Sequence, residues 1–137
     1  MLYARLWTKK ASVWRYTDIT FTAAIGAPVL KATVITPANG ATGVNPTGLI
    51  QWTAVPNVQK YYVYVGSTLG ANDLIDSQEI CPGCTNSTTA TSWSLANAGK
   101  PPALGLGGKA GQKVYLRMWT MVGGIWRYVD STFTLAP

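Results

Sequence analysis

Residues 113–135 read KVYLRMWTMVGGIWRYVDSTFTL, and this stretch decides the fold. Two runs rich in β-branched and aromatic side chains flank Gly123 and Gly124, a pair typical of a two-residue turn between antiparallel strands. The stretch therefore predicts a β-hairpin, with one strand from Lys113 to Met121 and the next from Ile125 to Leu135.

The hairpin pattern is repeated near the start of the chain. A shift of 112 positions lays the segment 3–23 on the segment 115–135 without a gap, and 11 of the 21 aligned residues are identical. A period of that length is the size of a domain and is longer than the repeats of solenoid proteins. We therefore divide the chain into residues 1–24, equivalent to the last two strands of a preceding module, a linker over 25–32, and a complete domain over 33–137.

Strand signals also dominate the rest of the chain. Short runs of β-forming side chains end at Gly, Pro or Asn, and no stretch keeps the apolar period of a helix. The sequence predicts an all-β fold, an antiparallel β-sandwich of about seven strands preceded by the extra N-terminal β-hairpin. The earlier strands of the sandwich are expected at Ala32–Thr36, Leu49–Thr53, Lys60–Val65 and Thr91–Leu95.

Several of these strands resemble those of fibronectin type III domains, which have an immunoglobulin-like fold. The run QWTA at 51–54 and the run YYVYVG at 61–66 are similar to the second and third strands of that fold, and residues 91–95 and 111–119 to its fifth and sixth. The sequence most resembles the fibronectin-III-like repeats of large secreted bacterial surface proteins. Those modules tend to end in Tyr-x-Arg-Leu-Trp, a turn and Trp-x-Tyr-x-Asp-x-Thr-x-Thr. The resemblance implies a fold and an extracellular or cell-surface location, but sandwich modules perform many functions.

The composition excludes several kinds of catalysis. The 137 residues contain no histidine, which removes Ser-His and Cys-His nucleophile pairs and His-ligated metals. Five carboxylates leave few groups for acid–base work, so we expect a binding or structural protein that is not an enzyme and needs no cofactor. The net charge of +6 favours acidic surfaces or polyanions as partners.

Membrane and nucleic-acid partners are not expected. No apolar run reaches the roughly 18 residues that a membrane-spanning helix needs. The basic residues are scattered, and their combination with aromatic side chains resembles single-strand binding surfaces only weakly. The first residues lack the basic start, apolar stretch and cleavage site of a signal peptide, so the start is interpreted as a cut.

Alternation along the last hairpin predicts an aromatic outer face. If Val114, Leu116, Met118 and Phe133 face the core, the opposite face of the sheet carries Tyr62, Tyr64, Tyr115, Arg117, Trp119, Trp126 and Tyr128. These side chains either stiffen the sheet through cross-strand pairs or form a contact face for sugar rings, a neighbouring module or another chain. If the aromatic side chains faced the core instead, Arg117 would be buried near Asp130, and the two would have to form a costly buried ion pair.

Both faces of the predicted N-terminal hairpin carry large hydrophobic side chains. A lone two-stranded hairpin is marginal in water, and its edges offer unpaired backbone groups. We expect it to dock on its own module or on a neighbouring copy, by strand addition or by competing for the position of the last hairpin, and such contacts would propagate into a filament. Alternatively, it belongs to the preceding module of a tandem array. The candidate interchain residues are Tyr3, Arg5, Leu6, Trp7, Trp14, Tyr16, Ile19 and Phe21.

The motif Cys81-Pro82-Gly83-Cys84 leaves several chemistries open. A zinc site lacks two further ligands within this chain, and a redox pair requires a helix N-terminus that nothing here supplies. A disulfide between Cys81 and Cys84 is preferred, because it fits an oxidising extracellular setting, with free or interchain thiols as the alternative.

The acidic residues cluster only at Asp73, Asp76 and Glu79. Their spacing lacks the pattern of a calcium loop, so a solvated loop rim is preferred over a calcium site. Asn86-Ser87-Thr88 is an N-glycosylation sequon, which matters only in a cell that glycosylates there.

The repeat, the composition and the resemblance together predict a non-enzymatic extracellular module with a structural or adhesive function. It would assemble with neighbouring copies of itself or with adjacent modules, as a tandem array or a filament, through the N-terminal hairpin. The alternative is a carbohydrate-binding module, in which Tyr64, Trp119, Trp126 and Tyr128 stack on sugar rings while Arg117 attracts acidic polysaccharide.

Overall fold

The computed structural model describes residues 1–23 and 26–137. Within these residues all regular structure is β, with ten strands and no helix, so the predicted all-β class is confirmed. The predicted boundary between the segments 1–24 and 25–32 falls at residues 24 and 25, which lie outside the described residues. The described part of the chain offers no helix that could cross a membrane.

The strands form three sheets. β1 and β2 make a two-stranded antiparallel sheet, β4-β10-β9-β6-β7 a five-stranded sheet, and β3-β5-β8 a three-stranded sheet. The bounds of the strands are β1 Leu2–Lys10, β2 Val13–Phe21, β3 Val34–Thr36, β4 Ala41–Val44, β5 Leu49–Trp52, β6 Val58–Gly66, β7 Ile75–Asp76, β8 Ser92–Ser94, β9 Lys113–Val122 and β10 Ile125–Leu135.

Two short strands and one parallel pair differ from the expected arrangement. In the described residues eight strands follow β2, where the sequence predicted about seven. β4 and β7 were missed because they are only four and two residues long and carry no apolar alternation. β4 runs parallel to β10, pairing Ala41 with Phe133, so the five-stranded sheet is not wholly antiparallel.

One hydrophobic core joins the three-stranded and five-stranded sheets. Alternate residues are buried from Tyr61 to Val65 in β6 and from Val114 to Thr120 in β9, because successive side chains of a strand point to opposite faces. The core extends into the segment that the sequence assigned to the linker, since Ala32 is fully buried and its N–H donates to Oγ1 of Thr120 at 2.9 Å. The largest buried members include Ile50, Trp52, Tyr61, Leu74, Leu95, Leu116, Met118 and Phe133.

The N-terminal hairpin, formed by β1 and β2, lies outside this core. Its register runs from Leu2 opposite Phe21 to Lys10 opposite Val13, and no residue of either strand belongs to the core cluster of the described chain. Every side chain of the two strands is exposed except that of Ala4, which is half-buried. The hairpin is therefore held by its own cross-strand contacts.

Candidate functional site

The structure places the predicted aromatic side chains on one surface, the outer face of β6, β9 and β10. The alternate residues of these strands, such as Val63, Leu116 and Met118, are buried in the core. The outward set is half-buried apart from Tyr128, which is 44% exposed. We call this set the aromatic face: Tyr62, Tyr64, Tyr115, Arg117, Trp119, Trp126 and Tyr128.

Five of the six rings of the aromatic face, all except that of Tyr115, form a continuous series of ring contacts. The centroids of Tyr62 and Tyr64 are 4.8 Å apart, those of Tyr64 and Trp119 6.1 Å, and Trp119 contacts Tyr128 at 4.8 Å and Trp126 at 6.3 Å. The ring planes are inclined by 58° to 85°, the tilted and edge-to-face geometry that aromatic pairs prefer. Much of the ring surface is therefore used to hold the strands together.

An arginine–aspartate ion pair lies within these rings. Nε and Nη2 of Arg117 donate to the two carboxylate oxygens of Asp130 at 2.7 and 2.9 Å, a bidentate arrangement that raises the pKa of Arg117 above its ordinary value. Cζ of Arg117 is 3.9 Å from the ring centroid of Tyr128. Arg117 and Asp130 therefore lie on the outer face of the sheet and not in the core, and their side chains are 19% and 29% exposed.

Two open clefts border the aromatic face. The first, of about 350 Å³, is lined by Tyr62, Tyr64, Trp119, Trp126 and Glu79. The second, of about 740 Å³, shares both tryptophans and adds Lys31, Arg127 and the chain around Pro28. Glu79 is paired with Lys60 at 2.6 Å, which balances the negative charge of the first cleft, whereas the second cleft is lined by two cationic side chains.

One of the three clustered acidic residues departs from the expected solvated rim, since the Glu79 side chain is 41% exposed and Asp73 is half-buried, but Asp76 is buried. Asp76 is 9% exposed and accepts hydrogen bonds from the Tyr62 hydroxyl, from Nδ2 of Asn72 at 2.7 Å and from the N–H of Gln78 at 3.1 Å. Burial, followed by the hydrogen bond to Asp76, raises the pKa of Tyr62. Asp73 instead accepts two hydrogen bonds from Ser67. The burial of Asp76 could not be predicted from the sequence, because its hydrogen-bond partners come from loops and from another strand.

The cysteine loop is closed by a disulfide. Cys81 and Cys84 are bonded, with their Cα atoms 5.3 Å apart, and Cys81 is 5% exposed. The amide of Asn86 in the sequon donates to the carbonyl of Ser77, so the side chain that would carry a glycan is used to fix the loop. No group of three or more potential metal ligands occurs among the described residues.

The N-terminal hairpin reproduces the central contacts of the aromatic face. Nε and Nη2 of Arg5 donate to the carboxylate oxygens of Asp18 at 2.6 and 2.8 Å, and Cζ of Arg5 is 4.0 Å from the ring centroid of Tyr16. Trp7 contacts Tyr16 at 5.0 Å. These residues are opposite one another in the same register as their equivalents in β9 and β10. The two hairpins therefore share their local geometry as well as their sequence.

The two hairpins differ in what covers their other face. Leu6 is 67% exposed and Phe21 49%, whereas their equivalents Met118 and Phe133 are 0% and 1% exposed. Ile19 on the same face is exposed as well, and so are Tyr3 and Trp14 on the opposite face, where they correspond to Tyr115 and Trp126. The structure thus contains an apolar hairpin face that is covered at one end of the chain and uncovered at the other.

Comparisons with known protein families, with curated proteins and with solved structures gave no match to this chain.

Proposed function

We propose that the chain is a non-enzymatic extracellular module of fibronectin-III-like, β-sandwich type, which assembles with adjacent modules or neighbouring copies through its N-terminal hairpin. The observation that carries this proposal is the uncovered apolar face of a hairpin whose equivalent is fully covered in the same chain. An exposed apolar face of this kind is typical of an interaction surface.

The strand order supports the sandwich assignment. In immunoglobulin-like sandwiches the first, second and fifth strands share one sheet, and the third, sixth and seventh share the other. With β4 and β7 counted as short additions, β3, β5 and β8 take the first set of positions and β6, β9 and β10 the second. The shared core of the two sheets agrees with such a packing.

Two further observations support the proposed module boundaries and the proposed location of the protein. β1 and β2 stand in the register of β9 and β10, which supports their origin as the last two strands of a preceding module. The disulfide between Cys81 and Cys84 supports an oxidising, extracellular or cell-surface setting.

The assembly proposal is tested by comparing the full chain with a chain that lacks residues 1–24. We expect the full chain to associate, as measured by light scattering and electron microscopy, and the shortened chain to stay monomeric. A full chain in which Leu6 and Phe21 are replaced by Asp is the matched control, since it keeps the hairpin sequence but not its apolar face. If all three remain monomeric at high concentration, self-assembly is rejected and only the tandem arrangement remains.

A second candidate function is carbohydrate binding, favoured by the open clefts beside the aromatic face. Trp119 and Trp126 line both clefts, and Lys31 and Arg127 in the second cleft provide positive charge for acidic polysaccharide. We expect Trp126→Ala to weaken binding on a glycan array about tenfold, a loss of about 1.4 kcal/mol. Trp14→Ala, the equivalent change in the N-terminal hairpin, is the control and should leave binding unchanged. Equal losses in both variants, or no glycan bound at millimolar concentration, would reject this function.

A further inference from the structure

The described residues, 1–23 and 26–137, contain two equivalent hairpins but only one set of strands that covers such a hairpin. The covering set is β3 to β8, which we call the six-strand unit. It covers the C-terminal hairpin, β9 and β10, and leaves the N-terminal hairpin outside the core.

The contacts that hold the C-terminal hairpin define what a covering partner must provide. β6 pairs with β9 from Val58 to Gly66, and β4 pairs with β10 beside Phe133. The N–H of Ala32, just before the six-strand unit, donates to Oγ1 of Thr120. The same partners would meet an apolar face of the same kind in the N-terminal hairpin, which has Thr8 in place of Thr120 and Phe21 in place of Phe133. Two inner positions differ in size, since Ala4 stands in place of Leu116 and Ile19 in place of Ser131, so the partner's side chains must differ there.

A second copy of this chain does not satisfy this requirement. If the N-terminal hairpin of one copy displaced β9 and β10 of another, it would release a hairpin of the same kind with its apolar face uncovered. The exchange therefore buries no additional apolar surface, whatever the number of copies. Any closed or open assembly made by such exchange keeps one uncovered hairpin per chain.

We propose that the apolar face of the N-terminal hairpin is the binding site for a six-strand unit that lacks a last hairpin of its own. Such a partner resembles residues 26–112 of this chain and completes its own sandwich with β1 and β2. This inference rests on the proposed function and specifies an adjacent module, in place of a neighbouring copy that exchanges its hairpin, as the partner of this face. The gapless offset of 112 residues between the two hairpins favours a partner in a preceding part of the same polypeptide, and a separate polypeptide is the other outcome that the second test distinguishes.

The first test joins a second copy of residues 26–112 directly before Met1 of the full chain. In this extended chain Gln112 precedes the hairpin, as it does before β9. We expect amide hydrogen exchange of residues 2–21 to slow by on the order of a thousandfold, as in a cooperatively folded domain. The same extended chain with Leu6→Asp and Phe21→Asp is the control and should stay unprotected. Fast exchange of residues 2–21 in the extended chain, together with an unfolded added segment, would overturn the proposal.

The second test supplies the partner in trans. A polypeptide of residues 26–112 is added to the full chain and to a chain that lacks residues 1–23, and complexes are identified by native mass spectrometry. A one-to-one complex with the full chain alone supports a separate partner, and protection only in the extended chain supports a partner in the same polypeptide. Equal binding to both chains overturns the inference, because the hairpin is then not the site. Self-association of the full chain through its hairpin, without binding of the added polypeptide, overturns the inference but retains the proposed assembly function.

Discussion

The two phenylalanines at equivalent positions of the hairpins allow a direct test of which face is covered. Phe133 is 1% exposed in β10, where it lies opposite Val114 and beside Ala41, whereas Phe21 is 49% exposed. Replacing a fully buried Phe by Ala removes its apolar contacts and leaves a cavity, at a cost of about 3–5 kcal/mol. We therefore expect Phe133→Ala to lower the free energy of unfolding by about 4 kcal/mol and Phe21→Ala by less than about 0.5 kcal/mol.

Urea denaturation followed by tryptophan fluorescence measures both effects. For a slope of about 2 kcal/mol/M, the loss in Phe133→Ala shifts the midpoint by about 2 M, with the slope unchanged. Circular dichroism of each variant confirms that the native fold is present before urea is added. Because a domain of this size has only about 5–15 kcal/mol of stability, the Phe133 variant stays folded but with a small margin.

Two results would refute this reasoning. A loss above about 1 kcal/mol in Phe21→Ala would mean that the N-terminal hairpin is packed against the rest of the chain in solution. A loss below about 1 kcal/mol in Phe133→Ala would mean that β10 does not contribute its inner face to the core.

Three further predictions concern the remaining features. Ala11 and Ser12 have φ values of 46° and 63°, in the left-handed region, so replacing both by Gly should stabilise the N-terminal hairpin by about 1 kcal/mol, measured by slower amide exchange in its strands. Asp130→Asn removes the charge that faces its arginine partner and should lower the free energy of unfolding by about 1 kcal/mol in urea. Burial raises the pKa of Tyr61 above 10.0 despite its hydrogen bond from the N–H of Val55, so the unfolding free energy should fall as pH rises above that value, where the unfolded state ionises first. Tyr61→Phe should reduce this alkaline loss in pH-dependent urea titrations, at a cost of about 1–3 kcal/mol near neutral pH for the unpaired N–H.

The long strands of this fold are predictable from sequence because their alternation is strong. β6 and β9 place buried side chains, apolar except for Thr120, at alternate positions over most of their length. Gly123 and Gly124 supply the left-handed φ values of 61° and 73° that the turn needs. β4 and β7 escaped prediction because they are short pieces whose pairing is decided by a neighbouring strand. Local pattern carries no information about such a neighbour.

The candidate site shows the same division between local and long-range information. The composition of the aromatic face follows from a period of two along each strand. The buried position of Asp76 and the entry of Ala32 into the core do not, because they depend on Tyr62 and Thr120, which are distant in sequence. A hydrogen bond between distant segments leaves no periodic signal along the chain.

Comparing the two hairpins shows which features form without a covering partner and which require one. The ion pair, the register and the stacked arginine are present in both hairpins, although only one of them is covered. These features are therefore set by contacts within the hairpin, of the kind that stabilise any antiparallel strand pair. Burial of the apolar face is different, since the same residue types reach 1% exposure in Phe133 and 49% in Phe21. Because the hairpin already holds its shape, a partner that covers it has less conformational entropy to remove, and most of the buried apolar area is available for binding.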